Sequence, residues 1–297
     1  MHRYIEYTID DNSTELTVER YLRGKLYSKQ NIVELKKIPD GVLKNGVFSR
    51  MNETIKCGDV LRIHITDPSS SEHVIPVKLP LEIVYEDEDI IVVDKPARMP
   101  THPSMSNYDN SLANALAYYF KEKNEDFVFR CTNRLDRDTS GLTVVAKHFV
   151  SGNILSEMGA KKMIKREYLA IASGHLVPLE GTIDAPIERV PGSVIRRCVD
   201  FENGERAVTH YKVVKYAKEH TLVSLVLETG RTHQIRVHLK YIGFPLIGDY
   251  LYNPDERLIQ RQALHSHKLS FTHPMTGEAL SFVSNMPKDM QYAFGNG

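Results

Sequence analysis

The pattern of apolar and polar positions divides the chain into two segments. Residues 16–27 carry apolar or aromatic side chains at positions 16, 18, 21, 22, 26 and 27, which is the spacing of an amphipathic helix, and a second short helix is predicted around residues 30–37. Alternating strands follow as far as Ile65, and residues 68–80, which are rich in Pro and Ser, are typical of a linker. We therefore predict a small α/β unit at residues 1–70, a linker at 71–80 and a second domain at 81–290.

The second domain mixes strands and helices without a regular βαβ alternation. Residues 81–85 and 90–93 have the pattern of a hairpin, and residues 112–123 that of an amphipathic helix capped by Asn110 or Ser111. Further strands are predicted, and the third and fourth of them pair through a short turn; they lie at 141–147, 167–173, 207–216, 221–228, 263–271 and 279–283. Many adjacent strands with few crossover helices favour an α+β fold with a mixed, largely antiparallel sheet.

Composition narrows the function classes. The 297 residues are 41% hydrophobic and 26% charged with a formal net charge of zero, so any nucleic-acid binding must come from local clusters of Lys and Arg. Such a cluster lies between residues 20 and 50, where eight basic residues face two acids. The cysteines at 57, 131 and 198 form no Cys-x-x-Cys spacing, which argues against a disulfide framework or zinc ribbon and fits a cytoplasmic protein. We find no pattern for a signal peptide, a membrane span or a nucleotide-cofactor loop, and expect no cofactor.

Candidate chemistry is concentrated in residues 133–142, Asn-Arg-Leu-Asp-Arg-Asp-Thr-Ser-Gly-Leu, which lead into an apolar strand. Charges at the mouth of a core strand are a usual way to aim a carboxylate into a pocket. Asp136 is the candidate nucleophile or base, because a carboxylate can attack an anomeric carbon or act on a sugar. Asp138 is the competing carboxylate, and a purely structural ion pair between Asp136 and Arg134 is the alternative.

This decapeptide resembles the first signature of the RluA/RluD-type pseudouridine synthases, His-Arg-Leu-Asp-(Arg/Lys)-x-Thr-Ser-Gly-Leu, with Asn133 in place of His. The resemblance implies that Asp136 catalyses the isomerisation of uridine in RNA. Residues 165–170, Lys-Arg-Glu-Tyr-Leu-Ala, resemble the second motif, which implies that Tyr168 stacks on the target uracil. Residues 227–239 resemble the third motif, whose arginine pairs with the catalytic aspartate. We assign that arginine to Arg231, ahead of a helix that Thr232 caps and that runs to about residue 242.

The remaining site assignments concern binding. We predict that a set of basic side chains binds the RNA substrate: Arg134, Arg137, Lys165, His233 and Arg236. No metal is expected, because His233 and His238 are five residues apart and would lie about 140° apart on a helix. Other segments similar to the family include Asp94-Lys95-Pro96 and residues 264–277, so the resemblance covers residues 81 to about 287.

The first unit resembles the small RNA-binding module of ribosomal small-subunit protein four, and the alternative is a solvated helix face on an unrelated α/β module. Together the resemblances imply an RNA pseudouridine synthase that acts as a monomer, with large-subunit ribosomal RNA as the expected target and tRNA as the second. One alternative is a non-catalytic RNA-binding or ribosome-assembly protein, which predicts loss of Asp136, Tyr168 or Arg231; all three are present. A nucleoside-hydrolysing glycosylase would need a second acid, for which only Asp138 is near.

Overall fold

A computed structural model of the chain describes residues 2–66, 74–105 and 107–296. In the N-terminal unit, two helices, α1 (Val18–Gly24) and α2 (Lys29–Lys37), accompany four strands, β1 (His2–Thr8), β2 (Val42–Lys44), β3 (Val47–Phe48) and β4 (Val60–Thr66). The strands form an antiparallel sheet in the order β1-β4-β2-β3. Each helix begins at a hydroxyl cap: Thr17 Oγ1 accepts from the amide of Arg20, and Ser28 Oγ accepts from that of Asn31.

The second domain is built on a ten-stranded sheet. Its strands in chain order are β5 (Glu82–Glu86), β6 (Ile90–Lys95), β7 (Arg130–Cys131), β8 (Ser140–Ala146), β9 (Lys165–Ser173), β10 (Glu180–Asp184), β13 (Val208–Tyr216), β14 (His220–Leu227), β15 (Leu264–Thr272) and β16 (Ala279–Val283), while β11 (Ile187–Arg189) and β12 (Arg197–Val199) form a separate ribbon. The main order is β10-β13-β14-β9-β15-β8-β6-β5, with β16 beside β15 and β7 beside β8. Among the described pairs of this sheet, only β8 and β15 run parallel, which confirms the predicted mixed, largely antiparallel sheet.

Four further helices cover this sheet: α3 (Leu112–Glu122), α4 (Phe149–Ala160), α5 (Gln234–Tyr241) and α6 (Lys288–Gly295). Helix α3 has the predicted Ser111 cap, reinforced by Asn114 in a capping box. The sequence did not predict α4, whose N-cap is His148 rather than a hydroxyl or short acidic residue. Helix α6 runs past the predicted domain end at residue 290. None of the helices in the described ranges has the length and apolar character needed to cross a bilayer.

The N-terminal unit and the second domain share one hydrophobic core. Ile5 and Leu22 of the first unit belong to the same buried cluster as Val144 of the second. Across the junction Arg3 Nε donates to Asp89 Oδ1 at 2.9 Å. The first unit is therefore docked on the second domain. The predicted linker describes the stretch of sequence between the two units and does not imply that they are apart in space. Residues 74–80 of that linker form no helix or strand, whereas its start and the end of the predicted first unit, residues 67–73, lie outside the described residues.

The close pairing of β8 with β15 fixes where the 133–139 loop ends. Gly141 lies opposite Ser266 with φ of 110°, and a Cβ at this position would overlap the Ser266 backbone. Glycine is therefore required for the two strands to approach. Because Gly141 lies two residues after the loop, this pairing anchors the loop at the start of a central strand.

Candidate active site

An open pocket of about 560 Å³ lies where the 133–139 loop meets β9, β15 and the segment before α5. This volume is in the range of small-molecule sites. Among the described residues that line the pocket, Asp136 is the only carboxylate. The lining also includes five arginines: Arg134, Arg137, Arg166, Arg231 and Arg236. The pocket is therefore suited to an anionic ligand that meets one carboxylate.

Asp136 is partly exposed to this pocket, with 28% of its side chain accessible. Its Oδ2 accepts a hydrogen bond from Arg236 at 3.1 Å, and His233 Nε2 lies 3.8 Å from the same oxygen. Asp138, in contrast, is buried and accepts from Arg137 Nε and from the terminal nitrogen at 2.8 Å. The structure thus distinguishes the two acids: Asp136 faces the pocket, and Asp138 braces the loop.

Arg236 is held from behind by a second carboxylate. Its side chain is 2% exposed, its Nε donates to Asp249 Oδ2 at 2.8 Å, and a terminal nitrogen donates to Asp249 Oδ1 at 2.7 Å. Burial opposes the charge, but Asp249 and Asp136 outweigh it and keep the pKa of the Arg236 guanidinium above its ordinary value. Since Asp249 is completely buried, the guanidinium is fixed while its remaining edge reaches Asp136.

The predicted pairing of Arg231 with Asp136 is wrong. The Arg231 guanidinium is 42% exposed and forms an ion pair with Glu205 at the rim of the pocket. The cause is the start of α5: His233 is its N-cap in a left-handed conformation (φ 59°), and Thr232 does not cap it. This turn directs Arg231 outward, and Arg236, in the first turn of α5, points towards Asp249.

Strand alternation decides which side chains of the second motif reach the pocket. Tyr168 and Arg166 lie on the same face of β9 and line the pocket, whereas Lys165 is exposed on the opposite face and does not line it. The predicted RNA contact of Lys165 therefore lies outside the pocket and stays a prediction, while Arg166 lines the pocket with its Nε buried and without a hydrogen-bond partner among the described residues. Burial raises the pKa of the Tyr168 hydroxyl, so the phenol is neutral at pH 7.

The two histidines of the third motif have separate roles. His233 lines the pocket and its Nδ1 lies 2.9 Å from the hydroxyl of Tyr252. Burial lowers the pKa of His233 although Asp136 acts in the opposite direction, so the ring is neutral at pH 7 and Arg236 supplies the positive charge. His238 is buried and uses both ring nitrogens, with Thr209 Oγ1 at 2.8 Å and the carbonyl of Ala185 at 2.9 Å. It cannot share an ion with His233.

Two buried charged residues of the site had no assigned role in the sequence. Asp249 follows the apolar run 244–248, and an acid in that context signals a buried carboxylate that needs a cation. Lys95 is fully buried, and its Nζ donates to the carbonyls of Pro96, Met99 and Arg137 at 2.9, 2.7 and 3.2 Å; burial lowers the pKa of this amine to about 7. Both support the Asp136 region without lining the pocket.

Comparison with known proteins identifies related sequences and structures. The family described as RNA pseudouridylate synthase matches residues 89–241, which include Asp136, Tyr168 and Arg236. The RNA pseudouridine synthase YjbO of Bacillus subtilis is 39% identical over 275 residues, covering 93% of this chain and 97% of that protein. The ribosomal large subunit pseudouridine synthase D of Zymomonas mobilis is 43% identical over 256 residues, covering 81% of this chain and 80% of that protein.

Among solved structures, human RNA pseudouridylate synthase domain containing 1 superposes with a TM-score of 0.59 at 27% identity, covering 74% of this chain and 86% of the human one. The similarity therefore extends from sequence to the arrangement of the sheet that carries the pocket. The chain belongs to the RNA pseudouridine synthase family, whose members are isomerases that convert uridine to pseudouridine in RNA.

Proposed function

We propose that Asp136 performs the covalent or proton-transfer step of uridine isomerisation. The observation that carries this proposal is the pocket lining, in which one carboxylate stands among five arginines. The reaction breaks the bond between N1 of uracil and the ribose, turns the base, and joins C5 to the ribose. The proton on C5 leaves and N1 gains one, so the reaction is redox-neutral. One carboxylate acting at the sugar or at the base is sufficient for this sequence of steps.

Arg236 orients this carboxylate, and it takes the place that the sequence suggested for Arg231. It contributes a fixed positive charge with three of its nitrogens in use, two on Asp249 and one on Asp136. Tyr168 provides the aromatic surface on which the extruded uracil stacks, because a ring can stack on the base both before and after the base rotates. His233 completes the pocket as a neutral imidazole.

The other arginines bind the RNA backbone around the target nucleotide. Arg134 and Arg137 lie on the loop beside Asp136, Arg231 lies at the exposed rim, and Arg166 has an unused buried nitrogen. Phosphate contacts of this kind position an RNA without reading its sequence. Their charge also supports extrusion of the target nucleotide into the pocket.

The proposed substrate is large-subunit ribosomal RNA, with tRNA as the second candidate, and the enzyme acts as a monomer in the cytoplasm. The support is the similarity to enzymes named for the large ribosomal subunit. The N-terminal unit acts as the additional RNA-binding module, resembling that of ribosomal small-subunit protein four. Its exposed cations Arg20, Lys36 and Arg50 surround adjoining grooves lined by Met51 and Asn52.

The test of the catalytic assignment is Asp136→Asn, which keeps the shape of the side chain and removes its charge. RNA labelled with tritium on C5 of uridine, isolated from cells that lack this gene, releases tritium as pseudouridine forms. We expect no release with the variant and unchanged RNA affinity, because affinity comes from many phosphate contacts. Turnover above about a tenth of wild type would contradict the assignment.

The matched control for that variant is Asp255→Asn, an acid that pairs with Arg257 and does not line the pocket. The target is tested separately by mapping pseudouridines in total RNA from cells with and without the gene. A difference confined to tRNA would refute the ribosomal substrate and leave the chemistry intact.

A further inference from the structure

The backbone of the loop that carries Asp136 is held at four successive carbonyls. Leu135 O accepts from Thr101 Oγ1 at 2.9 Å, and Asp136 O accepts from the amide of Thr139 at 3.1 Å. The next two carbonyls accept from buried basic side chains: Arg137 O from Lys95 Nζ and Asp138 O from a terminal nitrogen of Arg261, both at 3.2 Å. Since each carbonyl has a donor, the loop has little freedom to shift without breaking a buried hydrogen bond.

Arg261 links this loop to the C-terminal helix α6. Its side chain is 4% exposed, and its guanidinium forms a bidentate ion pair with Asp289. The Nε lies 2.6 Å from one carboxylate oxygen and a terminal nitrogen lies 2.9 Å from the other. Asp289 lies in the first turn of α6, where it also accepts from the amide of Met290. Met290 is itself completely buried, so α6 is packed firmly against the domain. The contacts therefore run without interruption from α6 through Arg261 to the catalytic loop.

Neither partner of this pair lines the active-site pocket. Arg261 and Asp289 line a different surface groove. Any effect they have on the reaction must therefore pass through the backbone that Arg261 holds, at Asp138 O of the loop and at Leu264 O beside the pocket. Asp138 O, which Arg261 holds, is two residues beyond Asp136.

We propose that Arg261, oriented by Asp289 of the C-terminal helix, is a positioning residue that sets the place of Asp136 in the pocket. The inference rests on the proposed function, in which Asp136 is the reacting carboxylate. Reacting groups must be held closely, and a displacement of about 1 Å can reduce a rate about 100-fold. A residue that holds the backbone of the reacting loop can therefore control the rate without touching RNA.

The test compares Arg261→Lys and Asp289→Asn with a matched pair elsewhere in the same segment. Arg257 and Asp255 form a similar bidentate pair at 2.8 and 2.6 Å, and Asp255 has 42% exposure against 48% for Asp289, although Arg257 is 85% exposed and Arg261 4%. The control pair is not bonded to the catalytic loop. Arg257→Lys and Asp255→Asn are therefore expected to keep wild-type rates.

The measurements are the single-turnover rate of tritium release from labelled ribosomal RNA, the RNA affinity, and hydrogen exchange of the peptide spanning residues 133–142. We expect Arg261→Lys to lower the rate about 10- to 100-fold, and Asp289→Asn at least about 3-fold, with RNA affinity changed less than about 2-fold. Exchange in the loop peptide should be faster in both variants. The double variant should be no slower than Arg261→Lys alone, because both changes disrupt the same interaction between Arg261 and Asp289.

Two results separate this inference from the proposed function. If Asp136→Asn is inactive while folded Arg261→Lys and Asp289→Asn keep the wild-type rate, the positioning role fails alone. If Asp136→Asn is active, both fail. Where Arg261→Lys unfolds at the assay temperature, Asp289→Asn decides the question, because it retains the shape of the carboxylate. Loss of RNA affinity with an unchanged single-turnover rate would also overturn the inference.

Discussion

Replacing each of two arginines of the third motif by lysine tests the geometry of the site most directly. Arg236 makes two bonds to Asp249 and one to Asp136 and is 2% exposed, whereas Arg231 is 42% exposed and pairs with Glu205 at the rim. A lysine has one ammonium group on a flexible side chain and cannot reproduce the planar set of N–H donors of a guanidinium group. Both substitutions keep the positive charge. They differ in the carboxylates that this charge contacts, Asp249 and Asp136 in one case and Glu205 in the other.

The expected magnitude follows from the bonds that are lost. In Arg236→Lys the ammonium remains with the buried Asp249, and the hydrogen bond to Asp136 is lost. A bond of this charge-assisted kind is worth about 1.5 to 3 kcal/mol. At about 1.4 kcal/mol per tenfold change, we expect the single-turnover rate to fall about 10- to 100-fold. In Arg231→Lys an exposed ion pair worth at most about 1 kcal/mol changes, so the rate should stay within about 5-fold.

The assay is tritium release from labelled ribosomal RNA with enzyme in excess, accompanied by thermal unfolding of each variant. Arg236→Lys should also lower the free energy of unfolding, because one bond to a buried carboxylate is lost. Equal rates for the two variants, or a larger effect at Arg231, would refute the assignment of Arg236 as the orienting residue.

Three further predictions concern the base, the N-terminal unit and pH. Tyr168→Leu should keep RNA binding and lower turnover about 10- to 100-fold, because stacking of a base on an aromatic ring is worth about 1 to 3 kcal/mol, and wild-type behaviour of this variant would reject the role of Tyr168 in the site. Changing Arg20, Lys36 and Arg50 together to Gln should weaken RNA binding and reduce the salt slope by up to about three, and an unchanged slope would exclude them as phosphate contacts. Burial lowers the pKa of His265 to about 4 from an ordinary 6.5, so the unfolded chain binds more protons there between these pH values. His265 should cost about 3 kcal/mol of stability as pH falls from 6.5 to 4. The difference in unfolding free energy between wild type and His265→Gln should change by this amount over the same range, and a difference that does not depend on pH would contradict the prediction.

Sequence patterns predicted most of the second domain because its strands are long and its chemistry is local. The pairing of β13 with β14 followed from two adjacent apolar runs, and the loop around Asp136 was marked by charge placed against an apolar strand. Helix α4 was missed because its cap, His148, is not a usual capping residue. Strand β1 was missed because its polar and charged side chains conceal the inward-facing Ile5.

The wrong assignment of Arg231 shows that a local sequence motif does not decide which of its arginines contacts the carboxylate. Both arginines stand in one motif, and the choice between them depends on a helix that begins at Gln234 after a left-handed His233. It also depends on Asp249, which is distant in sequence and becomes a partner only after folding. For Lys165 the sequence was sufficient to exclude the pocket, since strand alternation from Tyr168 places it on the opposite face, and its contact with RNA stays a prediction.

The shared core between the first unit and the second domain limits how such enzymes exchange their parts during evolution. A recombined gene that supplied a foreign N-terminal unit would have to match Ile5 and Leu22 against Val144, and place a cation opposite Asp89. Most transplants would leave apolar surface exposed and would remove one partner of a buried carboxylate that His148 also contacts. Inheritance of the two units together is therefore favoured, and a change of substrate is more readily obtained by altering side chains on an existing unit than by replacing it.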